Sequence, residues 1–289
     1  MIARTPAPRS AFARSFFGRL ARNPVGFLGF VLSVFVILAA ALGPVLSPHD
    51  PLAQSIRERF QGPSAAHWLG TDNFGRDTLA RILHGYRTSI GVSLGAVGIA
   101  TLVGGLLGLL AAFFGGWTDR LIMRVMDVLL AFPIILLAIA VLAVLGPGGF
   151  NTGLAIGIVY TPIFARLARG PALTVLNWDY ISAARALGSS PARILARHVT
   201  PNILAPILVQ VTLSLSTAIL VEASLSFLGL GTQPPTPSLG LMLSESRNTM
   251  LLSPWVSVFS GLAILLASLG FNLFGDGLRD LLDPTLRDA

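Results

Sequence analysis

The sequence predicts an all-α membrane protein with six transmembrane helices and both chain ends on the cytoplasmic side. Three observations carry this. Of the 289 residues, 53% are hydrophobic and only 11% charged, where a soluble domain carries about 25% charged residues; the mean hydropathy is +0.75. Six apolar runs cover approximately 25–47, 89–114, 122–146, 152–169, 203–231 and 256–275. At about 1.5 Å rise per residue each is long enough, or nearly so, to cross a hydrocarbon core of about 30 Å. Finally, with the N-terminus inside, the inner segments hold fourteen arginines and the outer segments six, the asymmetry that sets membrane orientation.

Residues 1–24 form a cytoplasmic tail with Arg4, Arg9, Arg14, Arg19 and Arg22 and no acid. The first run is too long for the apolar region of a signal peptide, about 7–15 residues, so residues 25–47 are expected to be retained as the first span. An outer loop, 48–88, follows. It is the exception to the charge rule, with five arginines. Its stretch "DTLARILHGYR" places Leu79, Ile82 and Leu83 at helical spacing, which predicts an amphipathic helix lying along the outer surface. In "GTDNFGRD", Asp72 or Asn73 is expected to cap that helix; the spacing is not that of a calcium loop.

Residues 89–275 hold the other five spans. Glycines four apart (Gly91 and Gly95, Gly104 and Gly108, Gly153 and Gly157) let helix backbones approach closely. Asp127 is three residues from Arg124 and is expected to pair with it. Pro133 is expected to kink the third span, since it removes a backbone donor and clashes with the preceding turn. In the fifth span Glu222 must face protein or water, since an unpaired carboxylate in lipid costs at least about 2.5–3.5 kcal/mol. With Ser226 and Pro133 it is a candidate for a translocation path or gate; the alternative is a structural hydrogen-bond partner. A Glu222→Leu change is expected to affect transport more than folding. Residues 276–289 form a second cytoplasmic tail.

The segment 170–202 lies inside on this topology and contains "ISAARALGSSPARILARHVTPN" at 181–202. Ile181, Ala184, Leu187, Ile194 and Leu195 form an apolar stripe, with Arg185, Arg193 and Arg197 polar. Gly188, Ser189, Ser190 and Pro191 break the helix, giving helix, turn, helix, closed by Pro201. The residues alone leave open whether this rests on the membrane surface or docks a cytosolic partner.

Several functions are excluded. There is no cysteine, so no disulfide, thiol catalysis or Cys-ligated metal. All twenty basic residues are arginine and lie in small groups, as topology signals rather than a nucleic-acid surface. "GVSLG" at 91–95 matches a hydrolase nucleophile motif but sits inside an apolar helix without the elbow it requires. His49, His67, His84 and His198 are scattered, with no pair at metal-ligand spacing, so no metal site is expected. Without a lysine there is no phosphate-binding loop, so an ATP-driven process would need its ATPase on another polypeptide.

The 182–202 segment resembles the cytoplasmic loop of ABC-transporter permeases of the binding-protein-dependent import type. Ala183, Ala184, Gly188 and Pro201 match that loop; Ser182 stands where Glu is usual. "HWLGTDNFGRDTLARILHGYRTSI", "AAFFGGWTDRLIMRVMDVLLAFP", "EASLSFLGLGTQPPTPSLGLMLSESR" and "FNLFGDGLRDLLDPTLR" are similar to the dipeptide/oligopeptide/nickel subfamily, in particular to its second permease subunit with the short outer loop. The resemblance implies a type I ABC importer permease fold in a bacterial cytoplasmic (inner) membrane. It implies a paralogous permease subunit, two ABC ATPase subunits that use ATP and Mg, and an extracytoplasmic substrate-binding protein as partners, with no cofactor on this chain. Ser182, Ala183, Ala184, Arg185, Leu187, Gly188, Ser189, Arg193 and Pro201 would then form the ATPase-coupling element, and peptides or a related solute such as a nickel chelate would be carried. Two other classes are weighed against this. An ATP-independent transporter or channel would show midplane charges in repeated halves; an intramembrane enzyme would need paired Ser/His or two Asp at depth. One intramembrane carboxylate and no such pair are present.

Overall fold

The computed structural model describes Gly18, Leu20 and residues 23–282; most of the N-terminal tail and residues 283–289 lie outside the described residues. Among these the chain is helical and has no strand, only an isolated bridge between Thr71 and Asp77. Helix α1 (Pro24–Leu46) begins on an N-cap, Asn23, whose side chain accepts the Gly26 N–H at 3.0 Å, with Pro24 at its first turn. That proline lacks the donor the position leaves unpaired and its φ suits the turn. Helix α2 runs from Thr78 to Phe114 and is capped by Asp77, whose Oδ1 accepts the Ala80 N–H at 2.7 Å. The cap is therefore Asp77, not Asp72 or Asn73. Nothing between 78 and 114 breaks the helix, so "DTLARILHGYR" is not a separate surface helix but the first turns of α2. At about 1.5 Å per residue α2 is about 55 Å long, well beyond the thickness of a bilayer core.

After Gly115, at φ +60, the third apolar run forms two helices, α3 (Gly116–Leu130) and α4 (Ile134–Leu145), set at 98° to one another. Pro133 thus does more than kink the run. Its ring excludes Phe132 from helical backbone, and α3 ends at Leu130. Helix α5 (Gly149–Leu176) leads to the short α6 (Asp179–Ala186), then α7 (Pro191–Phe227), which includes a π-helical turn at Leu195–Val199. Helices α8 (Leu239–Ser246) and α9 (Trp255–Leu282) complete the described residues. Among the described residues four helices, α1, α2, α7 and α9, are long and apolar enough to cross a membrane, and the bent α3–α4 pair makes five if it counts as one span. Helix α5 is long but less apolar. It faces protein more than lipid: Gly153, Ala155, Gly157, Ala165 and Ala168 are buried.

Helices α2 and α5 form the most extensive contact in the molecule, and they run parallel. A side chain at Gly104 would meet the Thr161 carbonyl oxygen at 2.4 Å, and one at Gly108 the Ala165 carbonyl oxygen at 2.2 Å. Gly157 is also tight, its would-be Cβ 3.2 Å from the Ala96 oxygen, whereas Gly91 and Gly95 face open space. Helix α1 packs antiparallel on α9 through Gly26, Gly29, Gly270 and Gly277, and a side chain at Gly29 would lie 2.2 Å from the Phe274 nitrogen. Since lipid is as apolar as a leucine side chain, such seams gain from close van der Waals contact rather than from hydrophobic burial. The main core draws on α1, α2, α4, α5, α7, α8 and α9, with Ile90, Ile156, Phe164, Ile219 and Leu239 among its buried residues. Outward faces of α1 and α2 are apolar and exposed, including Phe35, Leu38 and Leu102, as a lipid-facing surface requires.

Candidate functional site

The 170–202 segment folds as a helical hairpin. Helix α6 ends in a left-handed turn at Gly188, φ +79. The Gly188 N–H bonds to the Arg185 oxygen at 2.9 Å and the Ser189 N–H to the Ala184 oxygen at 3.0 Å. This pair of bonds is a Schellman ending, which favours glycine at that position. Ser190 then caps the start of α7, its hydroxyl accepting the Arg193 N–H at 3.4 Å, with Pro191 in the first turn. The limbs are joined further along, where Asn202 Nδ2 donates to the Tyr180 hydroxyl at 3.4 Å and to the His198 carbonyl at 2.6 Å.

A second apolar cluster, separate from the main core, anchors the hairpin. Ile181, Ile194 and Val199 are buried against Ala112, Ala172, Val175 and Leu176. At about 1.5–3 kcal/mol for each large aliphatic side chain fully buried, these three residues outweigh the strain of a tight turn. Leu195 is partly buried in the same cluster. Leu187 is not, at 87% exposed; it projects from the tip instead of belonging to the anchoring stripe. Ser182, Ala183, Arg185, Gly188, Arg193, Arg197 and Pro201 are exposed, while Ala184 and Ser189 are half-buried. The Arg185 guanidinium sits 5.7 Å from the centre of the Phe113 ring. The hairpin therefore presents exposed arginines on an apolar footing.

Ion pairs tie α3 to α5 where α5 approaches the hairpin. Arg169 donates to both carboxylate oxygens of Asp119, Nη2 to Oδ2 at 2.5 Å, and Arg166 donates to Asp127 Oδ1 at 2.5 Å. Asp127 thus pairs across 39 residues rather than with Arg124 three residues away. An i,i+3 pair is available on any helix, but the geometry between α3 and α5 offers a better partner.

Glu222 and Ser226 are brought together and fully buried. The Ser226 hydroxyl donates to Glu222 Oε1 at 2.7 Å and accepts the Thr232 N–H at 3.3 Å. Helix α8 folds back over this point: a side chain at Gly240 would meet the Ala223 oxygen at 2.3 Å, and one at Gly231 the Ser226 hydroxyl at 1.9 Å. Glu222 and Ser226 therefore sit in the packing of α8 against α7. Pro133 is exposed at the α3–α4 break.

Sequence reasoning missed a buried network at the opposite end. Asp72 is bonded by Arg76 Nε at 2.6 Å and by Arg81; Arg76 and Arg81 each donate an Nη2 to Glu245 Oε2 at 2.9 Å. It fastens the loop before α2 to α8. Only "GTDNFGRD" hinted at it, because Glu245 lies 164 residues beyond Arg81.

The fold matches solved structures of the MetNI methionine ABC transporter in inward-facing conformations. One aligns with a TM-score of 0.55 at 16% identity, covering 70% of this chain and 96% of that one; a second crystal form gives 0.51. This is the type I ABC importer permease fold. A family profile described as "Binding-protein-dependent transport system inner membrane component" matches residues 104–288, and another, "N-terminal TM domain of oligopeptide transport permease C", matches residues 11–63. The chain is 47% identical to the dipeptide transport system permease protein DppC of Alkalihalophilus pseudofirmus, over 95% of this chain and 90% of that one. It is 44% identical to the glutathione transport system permease protein GsiD of Pectobacterium atrosepticum, over 99% and 97%. It is also 44% identical to the di/tripeptide transport system permease protein DppC of Pseudomonas aeruginosa, over 98% and 94%. The chain belongs to the family of binding-protein-dependent transport system inner membrane components. It is a permease subunit of an ABC importer, and ATP hydrolysis falls to separate subunits.

Proposed function

We propose that this chain is one of two permease subunits that form the translocation path for peptides in a bacterial inner membrane. Its partners are a paralogous permease, two ATPase subunits using ATP and Mg, and an extracytoplasmic binding protein. The relatives' names support peptides as cargo; a related small solute is the next choice.

Six crossings and cytoplasmic ends are part of this reading. Because α2 and α5 run parallel, the α3–α4 pair must carry the chain back across, so we count it as one crossing. Helix α5 is then the fourth, and arginine asymmetry orients the whole. The domain boundaries in this reading are tails 1–24 and 276–289, a first helix 25–47, an outer segment 48–88 that ends in the first turns of α2, and a transmembrane domain 89–275 that includes the coupling loop 170–202.

In this reading the hairpin is the coupling element. The observation that carries it is an exposed, arginine-bearing tip on a buried footing of Ile181, Ile194 and Val199. Such a tip can enter a cleft of another subunit, and its footing transmits the push into α5 and α7. Closure of the ATPase dimer would move the hairpin as a rigid lever and reorient the helices between outward- and inward-open states. Ser182 supplies no charge where the import-permease loop it resembles usually has Glu, so the exposed arginines would carry the ionic contacts. A mild-detergent pull-down of the tagged chain from its native membrane tests the assembly. A second permease and two ATPases in the eluate support it; a chain that elutes alone, without ATPase activity, refutes it.

A further inference from the structure

Three residues far apart in sequence meet at the start of α2. His67 Nδ1 lies 2.9 Å from Asp77 Oδ2, and His49 Nδ1 lies 3.7 Å from the same oxygen. The imidazole rings are 5.0 Å apart between centres. One donor atom from each of the three residues falls within 4.8 Å of the other two. Numbering conceals this: 49, 67 and 77 fit no metal-ligand spacing, and only the fold joins them.

We propose that His49, His67 and Asp77 form a binding site for a borderline divalent transition metal such as Zn²⁺. Two imidazoles and one carboxylate are the donor set that such ions take, whereas calcium and magnesium prefer oxygen alone. Metal bonds of about 2.0–2.2 Å in a tetrahedron put donors a little over 3 Å apart, between the two distances measured here. The ion replaces the hydrogen bond between His67 and Asp77, with His67 shifting to its Nε2–H tautomer, so no proton is lost. The three protein donors leave a fourth position for water.

The site is built rather than accidental. Asp77 Oδ1 is held by the Ala80 N–H, which aims Oδ2 at the histidines. His67 is fixed through its backbone: its N–H donates to the Ser64 hydroxyl at 3.1 Å, and its carbonyl accepts the Gly70 N–H at 2.9 Å. Asp77 and His67 are buried, while the His49 side chain is 40% exposed and gives the ion a way in. Arg76 and Arg81 pair with Asp72 and Glu245, so Asp77 faces the two imidazoles and no guanidinium. A bound ion would clamp the end of α1, the loop that follows it and the start of α2.

The test uses the full chain, purified in detergent with a tag free of histidine, stripped with EDTA and titrated with Co²⁺ and Zn²⁺. One ion per chain is expected, with intense visible absorption from Co²⁺ and a higher thermal midpoint with Zn²⁺. His49→Ala keeps the His67–Asp77 hydrogen bond, so it should fold, yet lose more than about tenfold in affinity, since loss even of an outer-shell partner costs roughly 10–100-fold. A His84→Gln, His198→Gln double variant should bind as the parent does. Equal binding by the parent and His49→Ala, or binding abolished by the double variant, overturns the proposal.

Discussion

Replacing Gly188 tests the proposed coupling role of the 170–202 hairpin apart from the packing of the rest of the molecule. The residue sits at φ +79, and a Cβ there would meet nothing within 4 Å. Substitution therefore costs backbone strain alone, with no clash. An L-residue in the left-handed region pays about 1–2 kcal/mol, and a β-branched one is a genuine outlier there. Asn tolerates that region best among non-glycine residues. A penalty of one or two kcal/mol changes the population of the closed turn by about 5–30-fold, while the buried footing of Ile181, Ile194 and Val199 is untouched. The expected order of coupling is Gly, Asn, Ala, Val, with all four accumulating equally in the membrane. The assay is solute uptake and ATP hydrolysis measured on the same vesicles, containing the whole transporter. Uptake per ATP should fall along the series, with Gly188→Val losing most of it. Wild-type uptake by Gly188→Val, or an Asn variant as poor as Val, would refute the argument from turn geometry.

Other outcomes follow from the packing. Gly108→Val drives a side chain against the Ala165 carbonyl, 2.2 Å from its Cβ position, so the parallel α2–α5 contact should fail and the protein should disappear from membrane fractions; Gly91→Val, facing open space, should accumulate normally. Glu245→Gln leaves Arg76 and Arg81 short of a charge partner in a buried network, at a cost of about 3–5 kcal/mol, read as a fall in thermal midpoint. Asp127→Ala breaks an exposed pair, half-open on both sides, and should change stability by no more than about 1 kcal/mol. Burial of Glu222 against Ser226 moves the expectation for Glu222→Leu from transport to assembly: the leucine variant should accumulate poorly and Glu222→Gln well, as immunoblots of membranes would show.

Much of this was legible in the sequence because it is local. The apolar runs located the long helices, and "ALGSSPAR" specified a glycine turn and a proline start, while the cap by Ser190 emerges only in the structure. Gly104 and Gly108 were marked by spacing, but Gly91 and Gly95 carry the same signal and face open space, since spacing cannot say which face meets a neighbour. Pro133 signalled a bend without its 98° extent, which depends on how α3 and α4 pack on α5. The pairings of Asp127 with Arg166, of Arg81 with Glu245 and of His49 with His67 and Asp77 join residues that only the fold brings together. Leu187 matched the apolar stripe by period, yet the turn at Gly188 places it at the tip.

The chain has no cysteine, so a single introduced one is unique, and Leu187 is the place for it. In membranes holding the whole transporter, Leu187→Cys with a short thiol-to-amine cross-linker should join this chain to an ATPase subunit. Leu251→Cys, fully exposed beyond α8, should not. Cross-linking from Leu187 alone is the result this account predicts. No ATPase adduct from Leu187, or equal adducts from both positions, would contradict the assignment of the hairpin as the coupling element.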